Sequence, residues 1–212
     1  MSIPLKAAST IMVTGPSKSG KSYWLFKLLK NRQVMFTEPV YRVYYHYGIY
    51  QSLFDEMKSE IDGIIFKEGM PETIENLGHG NKHSILILDD LMLQICNNKD
   101  AASLFVMGSH HRNLTIIYLS QNLFAGGSMS RTISLNCEYM CLFKNIRDMR
   151  QVTVLGSQIF PGKSNSFLES YKNAISNPFG YLFIDLVNTT EDIVRVRAKI
   201  FPGEITEVYE LL

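Results

Sequence analysis

Residues 14–22 read TGPSKSGKS, and Gly15, Gly20, Lys21 and Ser22 fill every fixed position of the pattern G-x-x-x-x-G-K-[ST]. In such a loop, backbone N–H groups wrap a chain of phosphates, the lysine reaches the β and γ oxygens, and the hydroxyl holds Mg2+. Both flanks agree with that reading. Upstream, Ser9 to Thr14 (STIMVT) is a β-branched and apolar run with the composition of a buried parallel strand. Downstream, Lys21 to Lys30 places Trp24, Leu25, Leu28 and Leu29 at helical spacing and leaves Lys27 and Lys30 for the wet face. A strand, a glycine loop and a helix N-terminus follow in order, and that helix end offers unpaired N–H groups and a positive dipole end to a polyphosphate. Gly15, Pro16, Ser17, Lys18, Ser19, Gly20, Lys21 and Ser22 are therefore expected to bind nucleotide, with Ser22 as a Mg2+ ligand.

Working outward, Val40 to Tyr45 and Gly63 to Phe66 read as strands around a helical stretch near Gln51 to Ile61, and Pro71 opens a further turn of helix. LGHGNKHS is loop. Ile85 to Leu88 and Thr115 to Leu119 are continuous apolar strands, with a helix predicted between them at Ala101 to Gly108. Glu138 to Phe143 gives another strand, Arg147 to Leu155 and Asn165 to Ile175 give helices, and two late strands are expected at Tyr181 to Ile184 and Ile193 to Lys199. Strands alternating with helices predict an α/β fold built on a mostly parallel sheet flanked by helices.

The chain has 212 residues, 46% of them hydrophobic, which suffices for one substantial core and is short for two. One domain over 1–212 is expected, with a nucleotide-binding core at about 8–145 and an extension of helices and strands over about 146–212. The formal net charge of +1 means that any nucleic-acid contact must come from a local patch. Cys96, Cys137 and Cys141 form no C-x-x-C pair, which fits reduced thiols in an intracellular protein. His79 with His83 and His110 with His111 lack the cysteine or carboxylate partners of a zinc site. MSIPLKAAST is not a signal peptide, and no run of about 18 apolar residues occurs, so a soluble protein without membrane insertion is expected.

A hydrolytic site needs acidic groups as well as a phosphate loop, and ILILDDL supplies them. Asp89 and Asp90 follow an apolar strand at its C-terminal end, where parallel sheets present their ligands. Asp89 is expected to hold Mg2+ and Asp90 to activate the attacking water. TIIYLSQN ends the next strong strand with Gln121, a carboxamide able to donate to the γ-phosphate while accepting from that water.

With GPSKSGKS, ILILDD, the arginine of HHRNL and the glutamine of IIYLSQN in hand, the chain resembles the FtsK/HerA superfamily of P-loop ATPases. Within it, the likeness is to the viral genome-packaging branch of poxvirus and adenovirus-like type. The motifs span Thr10 to about Lys144, and the remainder matches by length and strand pattern. The resemblance implies a RecA-like sheet with extra C-terminal strands, ATP and Mg2+ as ligands, and a homo-oligomeric ring that drives double-stranded DNA into a preformed capsid at its vertex or portal. It implies a location in the infected host cell, at the nucleus or a cytoplasmic assembly site, or with the virion. By position it maps onto Arg112 the arginine that family members insert into a neighbouring subunit's site. The catalytic set is then Lys21, Asp90, Gln121 and Arg112. One departure is that many relatives have Asp-Glu where this chain has Asp89-Asp90.

A small nucleotide or metabolite kinase also carries an N-terminal phosphate loop, but it usually brings several arginines onto a mobile lid. Arg112, Arg131, Arg147 and Arg150 are instead spread out. A nucleotide-gated interaction protein is the other alternative, because the loop alone marks binding and not reaction. In IVRVRAKI, Arg195, Arg197 and Lys199 alternate with apolar residues and would form a basic stripe along one strand face, which reads as a solvated outer face or, alternatively, as a static support for DNA; FAGGSMSR would supply the moving DNA contact through Arg131.

Overall fold

The computed structural model describes residues 3–71, 77, 82–91, 94–95, 113–124 and 133–212. At its centre lies β1, Thr10–Thr14, buried along its whole length. The loop after it feeds α1, Lys21–Lys30, whose Trp24, Leu25, Leu28 and Leu29 are all buried. Lys27 and Lys30 stand in its last turn, where cations favour the negative end of the helix dipole. A short helix, α2 (Arg32–Met35), leads to β2 (Arg42–Tyr47), then α3 (Leu53–Glu60) and β3 (Ile64–Glu68). After these come β4 (Ser84–Asp89), β5 (Leu114–Ser120) and β6 (Tyr139–Phe143). The chain then forms α4 (Met149–Ile159), α5 (Ser164–Ala174), β7 (Tyr181–Asp185), β8 (Val196–Ala198) and β9 (Glu207–Val208).

The described strands make one nine-stranded sheet in the order β3-β2-β4-β5-β1-β6-β7-β8-β9. From β3 to β6 every pairing is parallel, and from β6 to β9 every pairing is antiparallel. The fold is thus α/β with a mostly parallel sheet, and β5 stands between the phosphate-loop strand β1 and the acidic strand β4.

Both faces of this sheet are covered, which explains why its central strands read as unbroken apolar runs. Ile85 and Ile87 of β4 join Ile11, Val13, Ile117 and Leu119 in a core with Trp24, Leu25 and Leu28 of α1 and Phe54 and Met57 of α3. Leu86 and Leu88 point the other way and join Met12, Ile116, Tyr118 and Met140 with Val152 and Leu155 of α4 and Phe167 and Tyr171 of α5. Each such side chain contributes about 1.5–3 kcal/mol by leaving water. Asp148 caps α4 by accepting from Gln151 N at 3.3 Å. Tyr171 secures α5 to the end of β6, donating its hydroxyl proton to Phe143 O at 2.9 Å while accepting from Asn145 N at 3.0 Å.

The late strands correct two expectations. Ile193 to Lys199 is not one strand but a 3-10 turn at Asp192–Val194 followed by the three residues of β8. Nor is there a basic stripe. Arg197 is only 2% exposed and donates Nη2–H to Asp185 Oδ2 at 2.9 Å and Nη1–H to Val194 O at 3.1 Å, with its guanidinium over the Phe183 ring. Arg195 is held by Asp192 at 2.7 Å and by the carbonyls of Asp185 and Val187, and Lys199 pairs with Glu207. Alternation implies a wet face only when one side of a strand is bare, and here β8 lies between β7 and β9 with both faces covered. The predicted helices at Pro71 and Ala101 to Gly108 lie, apart from Pro71 itself, outside the described residues.

Candidate functional site

At the carboxyl ends of β1, β4 and β5, a cavity of about 290 Å3 is lined by Ser17, Lys18, Lys21, Ser22, Gln51, Asp89, Asp90, Leu119, Ser120 and Gln121. The sheet order brings these groups together: β1 delivers the loop, β4 the aspartates and β5 the glutamine. Gly15 N–H donates to Ser120 O at 3.2 Å, tying the loop to β5. A Cβ at Gly15 would lie 2.6 Å from Phe143 Cβ and 2.9 Å from Ser19 Oγ, so the loop closes only around glycine. Gly20 adopts φ 109° at the N-cap of α1, which no side chain caps, leaving its first-turn N–H groups facing the loop. Ser19 Oγ is buried without a hydrogen-bond partner.

Lys21 Nζ donates to Gly15 O at 2.6 Å and to Pro16 O at 3.0 Å, inside its own loop. Burial pulls the Lys21 ammonium below its ordinary range, while Asp89 and Asp90 act against that shift. Across from it, Asp89 accepts from Tyr45 Oη at 2.7 Å and from Gln51 Nε2 at 3.3 Å through the same oxygen, Oδ2. Gln51 also accepts from Ser22 Oγ at 3.3 Å, so one carboxamide spans the two side chains expected to hold Mg2+. Asp90 is exposed, with a left-handed backbone at φ 55°, and accepts from Gln121 Nε2 at 3.4 Å. A Cβ at Gly48 would stand 2.5 Å from Asp90 O, so the glycine just after β2 lets the Asp89-Asp90 corner sit flush against it. An uncapped helix end, an unpartnered hydroxyl in a tight loop, the lysines Lys18 and Lys21, and a hydroxyl linked through Gln51 to a buried carboxylate form a donor set that fits a magnesium triphosphate.

The sheet order and loop place this molecule. The chain has the P-loop NTPase fold. Among solved structures it is similar to B204, the DNA-packaging ATPase from Sulfolobus turreted icosahedral virus, with TM-score 0.58 and 11% identity over 98% of this chain and 100% of that one. It is similar also to the genome packaging NTPase of Sulfolobus turreted icosahedral virus 2 in complex with ATP-gammaS, with TM-score 0.53 and 11% identity over 97% and 98% of the two chains. The AMP complex of that NTPase gives TM-score 0.51 and 13% identity over 86% and 94%. No protein-family model matches the sequence, and no curated protein does.

Of the residues singled out from sequence, Lys21, Ser22, Asp89, Asp90 and Gln121 line one cavity. Arg112 and residues 125–131 of the FAGGSMSR segment lie outside the described residues. Tyr45 and Gln51 were not found from the sequence. The available signal for Tyr45 was a tyrosine inside a strand of buried type, since a buried phenol needs a hydrogen-bond partner; Gln51 gave none beyond its place ahead of α3.

Asp89 sets a pH test. Burial raises its carboxyl above the usual range, opposed by the Tyr45 hydrogen bond, by Lys21 and by Gln51, with the Asp90 charge adding to the rise. The folded chain therefore holds this proton more tightly than the unfolded one. Its contribution to stability is best below the ordinary carboxylate range and falls as pH rises through the folded value. Asp89→Asn is expected to raise the melting temperature of the nucleotide-free protein at neutral pH and to leave it unchanged in acid, as measured by calorimetry across pH. A variant melting below wild type at neutral pH would reverse the assignment.

Proposed function

We propose that the protein is an ATP-hydrolysing motor, a single ATPase domain over residues 1–212, that packages viral double-stranded DNA into a preformed capsid as a homo-oligomeric ring. The observation that carries the hydrolytic part is the meeting of Lys21, Ser22, the Asp89-Asp90 pair and Gln121 in one cavity. The packaging part is supported by the likeness of fold, over nearly the full length of both chains, to a viral DNA-packaging ATPase.

In this reading the loop N–H groups and the uncapped α1 terminus grip the phosphates, and Lys21 leaves its loop carbonyls to meet the β and γ oxygens. Ser22 and Asp89 hold Mg2+, with Tyr45 and Gln51 fixing the Asp89 carboxylate. When bound, Mg2+ offsets charge on the β and γ oxygens as the terminal bond breaks. Asp90 takes the proton of the attacking water, and Gln121, already in contact with Asp90, orients that water. Phosphate passes to water, which separates this reading from a kinase.

The test is Mg2+-dependent release of labelled phosphate from ATP, with and without double-stranded DNA at low salt. Wild type should release phosphate to water and accelerate with DNA; transfer to a small acceptor, or no response to DNA, would overturn the proposal. Asp90→Asn should keep ATP bound and slow its hydrolysis by about a hundredfold, because the loop, Ser22 and Asp89 are untouched. Wild-type turnover in that variant would remove Asp90 as the base.

A further inference from the structure

The acidic pair and the glutamine that would face the terminal phosphate stand at the ends of β4 and β5, to one side of the phosphate loop. On its other side come β6 and β7, and there the chain makes a costly choice. Asn177-Pro178-Phe179-Gly180 forms a turn closed by Gly180 N–H to Asn177 O at 3.1 Å. Phe179, third in that turn, has φ 59°, a backbone conformation for which glycine or asparagine is usual and which strains a bulky residue. The turn is clamped: a Cβ at Gly180 would lie 2.4 Å from Ala174 O, at the end of α5. The residue so positioned is 69% exposed, and its ring stacks with no other described aromatic ring. It stands over the phosphate loop itself, because a Cβ built on Gly20 would meet Phe179 Cδ1 at 3.1 Å and Phe179 Cβ at 3.3 Å.

A strained backbone that holds an apolar ring in water beside a nucleotide loop calls for an occupant. We propose that Phe179 is the nucleobase platform of this site: the purine of the bound nucleotide lies against its face while the phosphates run along the loop toward β4 and β5. This rests on the nucleotide-binding reading of the cavity and adds to it the half of the ligand that the phosphate loop does not touch. Stacking is tolerant of base identity, since every base has a π-face, so ATP and GTP gain alike.

The test is equilibrium binding by calorimetry of Mg-ATP, Mg-GTP and Mg-tripolyphosphate to the full chain. Phe179→Gly removes the ring and relieves the positive φ, so the variant should melt at or above the wild-type temperature. It should bind ATP and GTP about 5- to 100-fold more weakly and tripolyphosphate as wild type does. Phe179→Trp should bind ATP at wild-type strength. ATP affinity unchanged in Phe179→Gly overturns the platform while leaving the phosphate loop intact. Weakening of tripolyphosphate by the same factor also overturns it, because Phe179 would then merely brace Gly20. A wild type that binds none of the three overturns the nucleotide site as a whole.

Discussion

Mixing Lys21→Ala subunits with Arg112→Ala subunits is expected to restore ATP turnover that neither variant has alone. Lys21→Ala removes the charge proposed to meet the β and γ oxygens as they gain electron density. Arg112→Ala removes the residue expected from the resemblance to act as a finger, a group whose supply changes phosphoryl-transfer rates by about 10³ to 10⁵. The next residue, Asn113, stands at the amino end of β5, where its Nδ2–H donates to Glu38 Oε2 at 2.7 Å and its carbonyl accepts from Ser84 N at 3.0 Å. Ser120 and the cavity lie at the other end of the same strand, about 20 Å away at the rise of an extended chain. In the ring proposed above, a mixture would contain some interfaces that pair an intact loop with an intact Arg112. Turnover in the mixture, measured by phosphate release, supports a shared site; a mixture that assembles and stays inactive would refute it.

The second large effect falls on stability. Arg197→Met should destabilise the protein by about 3–5 kcal/mol, because it strands the Asp185 carboxylate in the interior without its partner. Asp185 keeps some company, accepting from Val187 N at 3.1 Å and Thr190 Oγ1 at 2.9 Å through Oδ1, but Oδ2 is the oxygen facing Arg197. Adding Asp185→Asn to Arg197→Met removes the stranded charge and should recover part of the loss. The midpoint of urea unfolding measures both, with an unchanged denaturant slope showing that the native fold is retained. A loss below about 1 kcal/mol in the single variant would contradict the burial argument. Arg197 has no free donor face for a DNA phosphate, so its removal should act on folding and not on the salt dependence of DNA binding.

How much could be read from the chain follows the range of the interactions. The phosphate loop was legible because its shape is set locally: glycines, a lysine and a hydroxyl at fixed spacing suffice. The central strands were legible because burial on two faces demands unbroken apolar runs, as in Ile85 to Leu88. The placing of Asp89 and Gln121 at one sheet edge was legible from strand ends alone. Tyr45 and Gln51 were not, since their contacts with Asp89 depend on which strand lies beside β4, and β2 pairs with it across a gap of some forty residues. Arg197 misled for a related reason: IVRVRAKI forms only the short β8, buried along its length, and the antiparallel neighbour β7 with its Asp185 makes an interior of the predicted wet face. Phe179 left only the faint mark of a phenylalanine where Asn-Pro-x-Gly would ordinarily carry a small residue.

The two margins of the sheet bear on self-association. At one end lies β3, whose Lys67 and Glu68 are exposed, with Lys58 over the Phe66 ring; at the other, β9 offers only Glu207 and Val208. Flat, unguarded margins invite a second chain to continue the hydrogen-bond ladder, and charged or very short ones discourage it. A crowded population of these molecules thus meets blunt borders, which protects it from fibrous stacking. Subunits of the proposed ring are therefore expected to join through side chains on faces and loops, where contacts can loosen and re-form without unzipping backbone.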